Sequence, residues 1–282
     1  MPTDESSVYA VRPPCAALLG VVRCVWRYRW LAPERRVERI PPDGCPELIV
    51  NFGAGYAELT GEGTLLAQPA ALFAGQITRP LTLIADGPVD TVGVRFEPDG
   101  ARDFVRRPMN ELTNARVALT EFGHLDASAL LRALAASRDE ERFDVLQSLV
   151  AATIGNNRTD DPLVSGALQE LAKGGPIETK NVSLRQLQRR FIDRVGVSMR
   201  EIQSILRFRR VFDEIGREPD WTRSALAAGY FDQAQLARDF RRYLGCTASD
   251  WARQKIGLAA EIARETSQTY KLAAADARKE TP

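Results

Sequence analysis

Histidine is nearly absent from this chain: His124 is the single one among 282 residues. Metal-dependent chemistry in a small β domain needs a cluster of His and carboxylate ligands. One His, lying outside the strand-like segments, does not supply it, and its expected place is a surface or capping position. Cysteine is scarce too. Cys15, Cys24, Cys45 and Cys246 show no CxxC or paired spacing, so neither a zinc site nor a disulfide framework is indicated, and a reduced setting fits. No run approaches 18 apolar residues, and the first residues lack the apolar core of a signal peptide, so a soluble, cytoplasmic protein with no membrane partner is expected. GxSxG, P-loop and GxGxxG motifs are missing as well. No catalytic residue, metal ligand or cofactor site emerges, and the expectation is a protein that is not an enzyme.

A strong net charge is also lacking, since the formal total is +1. That total hides an asymmetry. Residues 177–255 carry 16 Lys+Arg against 10 Asp+Glu, whereas residues 1–157 carry 16 against 20. A basic C-terminal region behind an acidic front is the electrostatic footprint of a nucleic-acid-binding module.

What is present is a stretch written twice. SLRQLQRRFIDRVGVSMREI (183–202) and DQAQLARDFRRYLGCTASDW (232–251) superpose at a constant offset of 49. Leu187 falls on Leu236, Arg189 on Arg238, Phe191 on Phe240, Gly196 on Gly245 and Ser198 on Thr247. Each copy reads as a polar N-cap, a short basic helix, a glycine stop and a Ser/Thr that opens the next helix. In front of the second copy, Asp220 caps WTRSALAA and Gly229 makes a tight turn, which completes a helix-turn-helix. Leu187, Phe191, Leu236, Phe240, Trp221 and Trp251 are expected to do no more than pack the core.

The front half has a different texture. VVRCVWRYRW, ELIVNFG, AELTG, TLLAQ, ALFAG, LTLIAD and TVGVRF are short apolar runs punctuated by Gly and Pro, as in a sandwich or barrel. Residues 1–14 read as a flexible lead. EPDGARDFVRR and MNELTNARVALTEF read as short helices, and 127–134 and 140–154 as longer amphipathic ones. NNRTDDP reads as a linker. The expected organisation is α+β: a β-rich sensing or dimerisation domain over 1–157, an all-α double helix-turn-helix over 158–255, and a helix-prone tail over 256–282.

In a helix-turn-helix the second helix enters the major groove and its first turns reach base edges. That assigns Gln233, Ala234, Gln235 and Arg238 to the groove in the second copy, and Arg185, Gln188 and Arg189 in the first. Gln pairs with adenine, Arg with guanine, and Ala packs on a thymine methyl. Arg190, Arg194, Arg241 and Arg242 suit phosphate contacts. A connecting helix over 198–215 is about 27 Å long at 1.5 Å per residue, which sets the two reading helices about one duplex turn apart.

SLRQLQRRF…VGVS…RF followed by ALAAGYFDQAQLARDFRRYLGCTASDW closely resembles the double helix-turn-helix of the AraC/XylS family of bacterial transcriptional regulators, over about residues 164–254. PDGCPELIVNFG, ALFAGQ and VGVRFEPDGARDFV resemble the N-terminal domain that accompanies it in one branch. The resemblance implies binding to double-stranded promoter DNA, regulation of transcription by RNA polymerase, a cupin-like barrel in front, and a small-molecule effector or a homodimer made through that barrel. Two departures stand out. IETKNVS replaces the full supporting helix before the first reading helix, and Gln235 stands where the branch often has His. The shortened first motif keeps one rival open: a helix-turn-helix-derived protein–protein interaction module that no longer binds DNA specifically.

Overall fold

Strand β2 (Val22–Trp30) explains how the front domain is layered, because it is buried on both faces. Its odd positions, such as Val25, pack toward helices, and its even positions, Cys24, Trp26 and Tyr28, pack between two sheets. That is the period of two expected of an extended chain. The computed structural model describes residues 7–155, 158–177, 182–214 and 220–254. Ten strands are seen there: β1 (Ser7–Arg12), β2, β3 (Arg35–Ile40), β4 (Glu47–Asn51), β5 (Ala57–Leu59), β6 (Leu65–Ala67), β7 (Ala71–Ala74), β8 (Leu81–Asp86), β9 (Val89–Phe96) and β10 (Arg116–Ala118). They form a six-stranded sheet in the order β1-β2-β9-β4-β7-β10 and a four-stranded sheet in the order β3-β8-β5-β6. Every described pair is antiparallel. The architecture is an open sandwich rather than a closed barrel.

Two expectations need correction, and one further strand lies outside the apolar runs. Residues 7–12 are not a flexible lead but an edge strand, whose Tyr9 and Val11 pack between the sheets beside Trp26. RRVERI forms β3, which its charge conceals. Buried Glu38 pairs with Arg36, and the Arg36 guanidinium lies 4.2 Å from the Trp30 ring centroid. Charge on an edge strand also blocks edge-to-edge pairing. Arg116–Ala118, expected to be helical, is strand β10 paired with β7.

The outer face of the six-stranded sheet is covered by α1 (Arg102–Val105), α2 (Ala127–Ala136) and α3 (Glu141–Ile154) around one core containing Phe73, Phe96 and Phe104. His124 caps here, its Nε2 lying 2.9 Å from the Phe104 carbonyl oxygen.

Six helices follow: α4 (Pro162–Lys173), α5 (Leu184–Val195), α6 (Met199–Glu214), α7 (Trp221–Ala227), α8 (Gln233–Leu244) and α9 (Ala248–Gln254). They surround two cores. One joins α4 and α5 through Leu168, Leu187 and Phe191 to Ile202 of α6. The other joins Ile205, Phe208 and Phe212 of α6 to Phe240, Tyr243 and Trp251. Helix α6 therefore enters both cores and is the spine of the C-terminal half. The expected tail over 256–282 lies outside the described residues. No described helix is long and apolar enough to cross a membrane.

Candidate nucleic-acid interface

Local chemistry sets both reading helices where the repeat places them. Ser183 caps α5 in a reciprocal box with Gln186, and Asp232 caps α8 by accepting from the Gln235 amide at 2.7 Å. Gly196 and Gly245 end the two helices with φ of +92° and +67°, a region that glycine adopts at least cost. The buried faces are Leu187, Phe191 and Val195 in α5, and Leu236, Phe240 and Leu244 in α8.

Beyond these shared features the copies diverge. In the second, α7 ends at Ala227, Gly229 turns with φ +86°, and α8 follows. In the first, α4 stops at Gly174 and α5 starts at Leu184, with residues 175–177 and 182–183 non-helical. The supporting helix is absent from the described part of that connection; residues 178–181 of IETKNVS lie outside it.

The second copy also holds a buried polar triad that the first lacks. Asp239 of α8 accepts from the Tyr230 hydroxyl at 2.9 Å and from Arg207 of α6 at 3.3 Å. The Arg207 guanidinium lies 4.5 Å from the Tyr230 ring centroid. Burial pushes the Tyr230 phenol up, and Asp239 adds to it, so the hydroxyl stays protonated and donates. These three residues fix α8 against α6.

On the outward face of α8, Gln233, Ala234, Arg238 and Arg241 are exposed. The acids nearest to Arg238 in sequence are both occupied, Asp232 as a cap and Asp239 in the triad, and Arg238 forms no ion pair among the described residues. Gln235 is used differently. Its Oε1 accepts from the Phe231 amide at 3.1 Å, so the side chain closes the helix start instead of pointing outward. Arg242 is held by Glu201 at 2.7 Å and lies over Tyr243. Burial works to lower its pKa, but Tyr243 and Glu201 leave it raised.

Nothing in the sequence pattern singles out Phe231. It occupies the position before the N-cap, where a hydrophobic staple would fold it onto Leu236. Leu236 is buried, yet Phe231 is 90% exposed. An aromatic ring left in water at the front of a reading helix is a ready apolar contact for a base or sugar. Phe231→Ala should leave thermal unfolding within about 0.5 kcal/mol of the parent, as for other surface changes. The same variant should lose about 1 kcal/mol of DNA affinity in an anisotropy titration.

The first copy is docked on the front domain. Asp103 of α1 pairs with Arg194 at 3.0 Å, Arg102 pairs with Asp193 at 3.1 Å, and the Thr113 hydroxyl donates to the Gly196 carbonyl at 2.7 Å. A Cβ on Gly196 would sit 3.0 Å from the Met109 carbonyl oxygen, so the glycine also permits the close approach. The linker is drawn in, with the Thr159 amide donating to Asp103 at 2.9 Å. Arg190 bonds the cap of α4, Asp161, at 2.7 Å. Neither Arg190 nor Arg194 is placed as a free phosphate ligand.

Gln188, Arg185 and Arg189 stay exposed. The two arginines line a groove of about 730 Å³ whose opposite wall is Pro108, Asn110 and Glu111. That wall stands beside the exposed face of α5 on the flank that carries Arg185 and Arg189.

Two families match separate stretches of the chain. Residues 10–118 match the family described as Domain of unknown function (DUF6597), and residues 178–254 match a helix-turn-helix domain. No curated protein matches the sequence. Among solved structures, the chain is similar to ToxT from Vibrio cholerae O395, with 11% identity over 90% of this chain and 100% of that one and a TM-score of 0.41. An apo variant of ToxT from V. cholerae strain SCE256 is also similar, with 11% identity, 86% and 99% coverage and a TM-score of 0.42. The helix-turn-helix match falls on the doubled, capped and basic stretch. The chain thus carries an AraC-type helix-turn-helix domain over residues 178–254, behind a front segment of the DUF6597 family.

Proposed function

We propose that promoter DNA is read chiefly by the second helix-turn-helix. Gln233, Ala234 and Arg238 lie at the base edges, Arg241 on a phosphate, and Phe231 against the groove wall. The observation that carries this reading is the outward face of α8, where an uncommitted Arg238 sits nearly two turns behind a capped N-terminus. Gln235 supports the helix start rather than the base code, and Arg242 orients α6 against α8. In the undocked state Arg185, Gln188 and Arg189 of α5 supply the second contact. RNA polymerase acts downstream of the bound regulator, and a second copy of the chain is a partner through the front domain. The protein works in the cytoplasm and has no catalytic role.

Arg238→Ala and Gln233→Ala should each cost about 1–3 kcal/mol of specific affinity for cognate promoter DNA. Anisotropy titrations of both variants test this, and unchanged affinity in both would remove α8 from the base-reading role. A salt series tests the rival interaction module: log K for promoter DNA should fall steeply with log salt, at about 0.9 per neutralised phosphate. A flat line favours the rival.

A further inference from the structure

Phe231 is the most exposed large hydrophobic residue among those described, at 90%; the next, Leu31, stands at 61%. Single exposed apolar residues are ordinary on a protein surface, so position, not exposure alone, gives this one meaning.

The first copy shows the alternative. At the offset of 49 residues Phe231 falls on Val182, and each directly precedes the N-cap of its helix, Asp232 for α8 and Ser183 for α5. A hydrophobic residue there closes a staple onto the fourth helical position. Val182 behaves so: it is half-buried and packs on the core that contains Leu187. Phe231 does not, because Tyr230 already fills the core that contains Leu236. Two adjacent aromatic residues stand at this corner, and the fold buries one of them. The second ring is surplus to packing.

That ring is carried on a fixed backbone. Gly229 turns the chain at φ +86°, the Phe231 amide donates to Gln235 Oε1 at 3.1 Å, and Asp232 caps α8 immediately afterwards. A contact made by the ring therefore orders one side chain and no further backbone. The exposed Gln233 and Ala234 follow within three residues, with exposed Arg238 and Arg241 behind them. A partner that meets this face is a polyanion carrying apolar groups among its hydrogen-bonding edges, which describes the major groove.

A phenyl ring neither donates nor accepts a conventional hydrogen bond, so most of the groove's code is invisible to it. The C5-methyl, which thymine carries and cytosine lacks, is the group such a ring can sense.

We infer that Phe231 reads a thymine C5-methyl in the major groove, as a specificity determinant outside the recognition helix itself. The inference rests on the base-reading role of α8 proposed above. It adds to that role a base group that makes no hydrogen bond and a residue placed before the N-cap.

The test uses the full chain and a duplex that it selects from a random-sequence pool. Each thymine of that duplex is replaced in turn by uracil, which removes only the C5-methyl. In anisotropy titrations the parent should lose at least ~3-fold in affinity at one or two of these thymines, about what burial of one methyl group is worth. At the same positions Phe231→Ala should bind the thymine and uracil duplexes within ~1.5-fold of each other, since the contact that senses the methyl is gone. Phe231→Leu, which keeps an apolar side chain, should retain part of the discrimination. With a C·G pair at such a position, 5-methylcytosine should bind the parent more tightly than cytosine and leave Phe231→Ala indifferent.

Uracil that costs the parent nothing at every position overturns the inference. So does a uracil loss that persists undiminished in Phe231→Ala, which would put the methyl on another residue such as Ala234. Full DNA affinity in Phe231→Ala also overturns it and leaves the ring to a protein partner. In all three cases a loss of affinity in Arg238→Ala keeps α8 as the base-reading helix. When Arg238→Ala and Gln233→Ala both bind like the parent, the reading of α8 fails and the methyl assignment falls with it.

Discussion

Asp239→Ala should lower stability by about 3 kcal/mol, the lower end of the cost of stripping one partner from a buried ion pair. The lower end applies because the Arg207 side chain keeps 24% exposure. The carboxylate holds two groups on different elements, Arg207 on α6 and the Tyr230 hydroxyl in the turn. Its loss leaves a cation without its pair and a hydroxyl without its acceptor, each inside a core of edge-to-face aromatic rings such as Phe208–Phe240. Asp239→Asn keeps the shape and one acceptor, so it should cost less, about 1–2 kcal/mol. Urea unfolding of the three proteins measures both values. A loss below that of the Asn variant would mean that the triad does not hold α8. Because the triad sets the seat of α8 on α6, DNA affinity of Asp239→Ala should also fall further than its folded fraction explains.

This triad marks the boundary of what the sequence conveys. Caps and stops are local, and those around the repeat are legible: Ser183, Gly196, Asp232 and Gly245 act where the doubled text puts them, and Asp220 caps the helix in front of the second copy. The triad is not local in that sense. The 49-residue offset lays Asp239 over Arg190, so the repeat itself suggests equivalence where the side chains have opposite charge and different partners. Arg242 reaches Glu201, 41 residues away, and no spacing rule announces that.

The front domain repeats the lesson. Its apolar strands are legible from β-branched and aromatic runs, while β3 is hidden because its buried member is Glu38, neutralised by a neighbour two residues away. Strand β1 is hidden because its pairing with β2 depends on tertiary contacts of Tyr9 and Val11. The Asp43-Gly44 turn is visible but looks ordinary. Its role is nonlocal: a Cβ on Gly44, at φ +82°, would lie 3.1 Å from the Ile202 side chain of α6.

Docking of α5 gives the second large effect. Asp103→Arg replaces the acceptor of Arg194, at a pair whose side chains are only 9% and 12% exposed, with a third cation beside Arg102. Breaking a pair this buried costs about 3 kcal/mol, and here the cost falls on the contact between domains rather than on either core. The expected result is release of α5 from the Pro108–Glu111 wall with both cores intact. Arg185 and Arg189 then become available to DNA, so the slope of log K against log salt should steepen by about 0.9 for each phosphate gained, and promoter affinity at low salt should rise. The reciprocal exchange, Asp103→Arg with Arg194→Asp, rebuilds the pair in the opposite sense and should return slope and affinity toward the parent values. A steep slope that persists in the exchanged protein would mean that added positive charge, not release, caused the gain. An unchanged slope in folded Asp103→Arg would mean that the wall does not restrain the first reading helix.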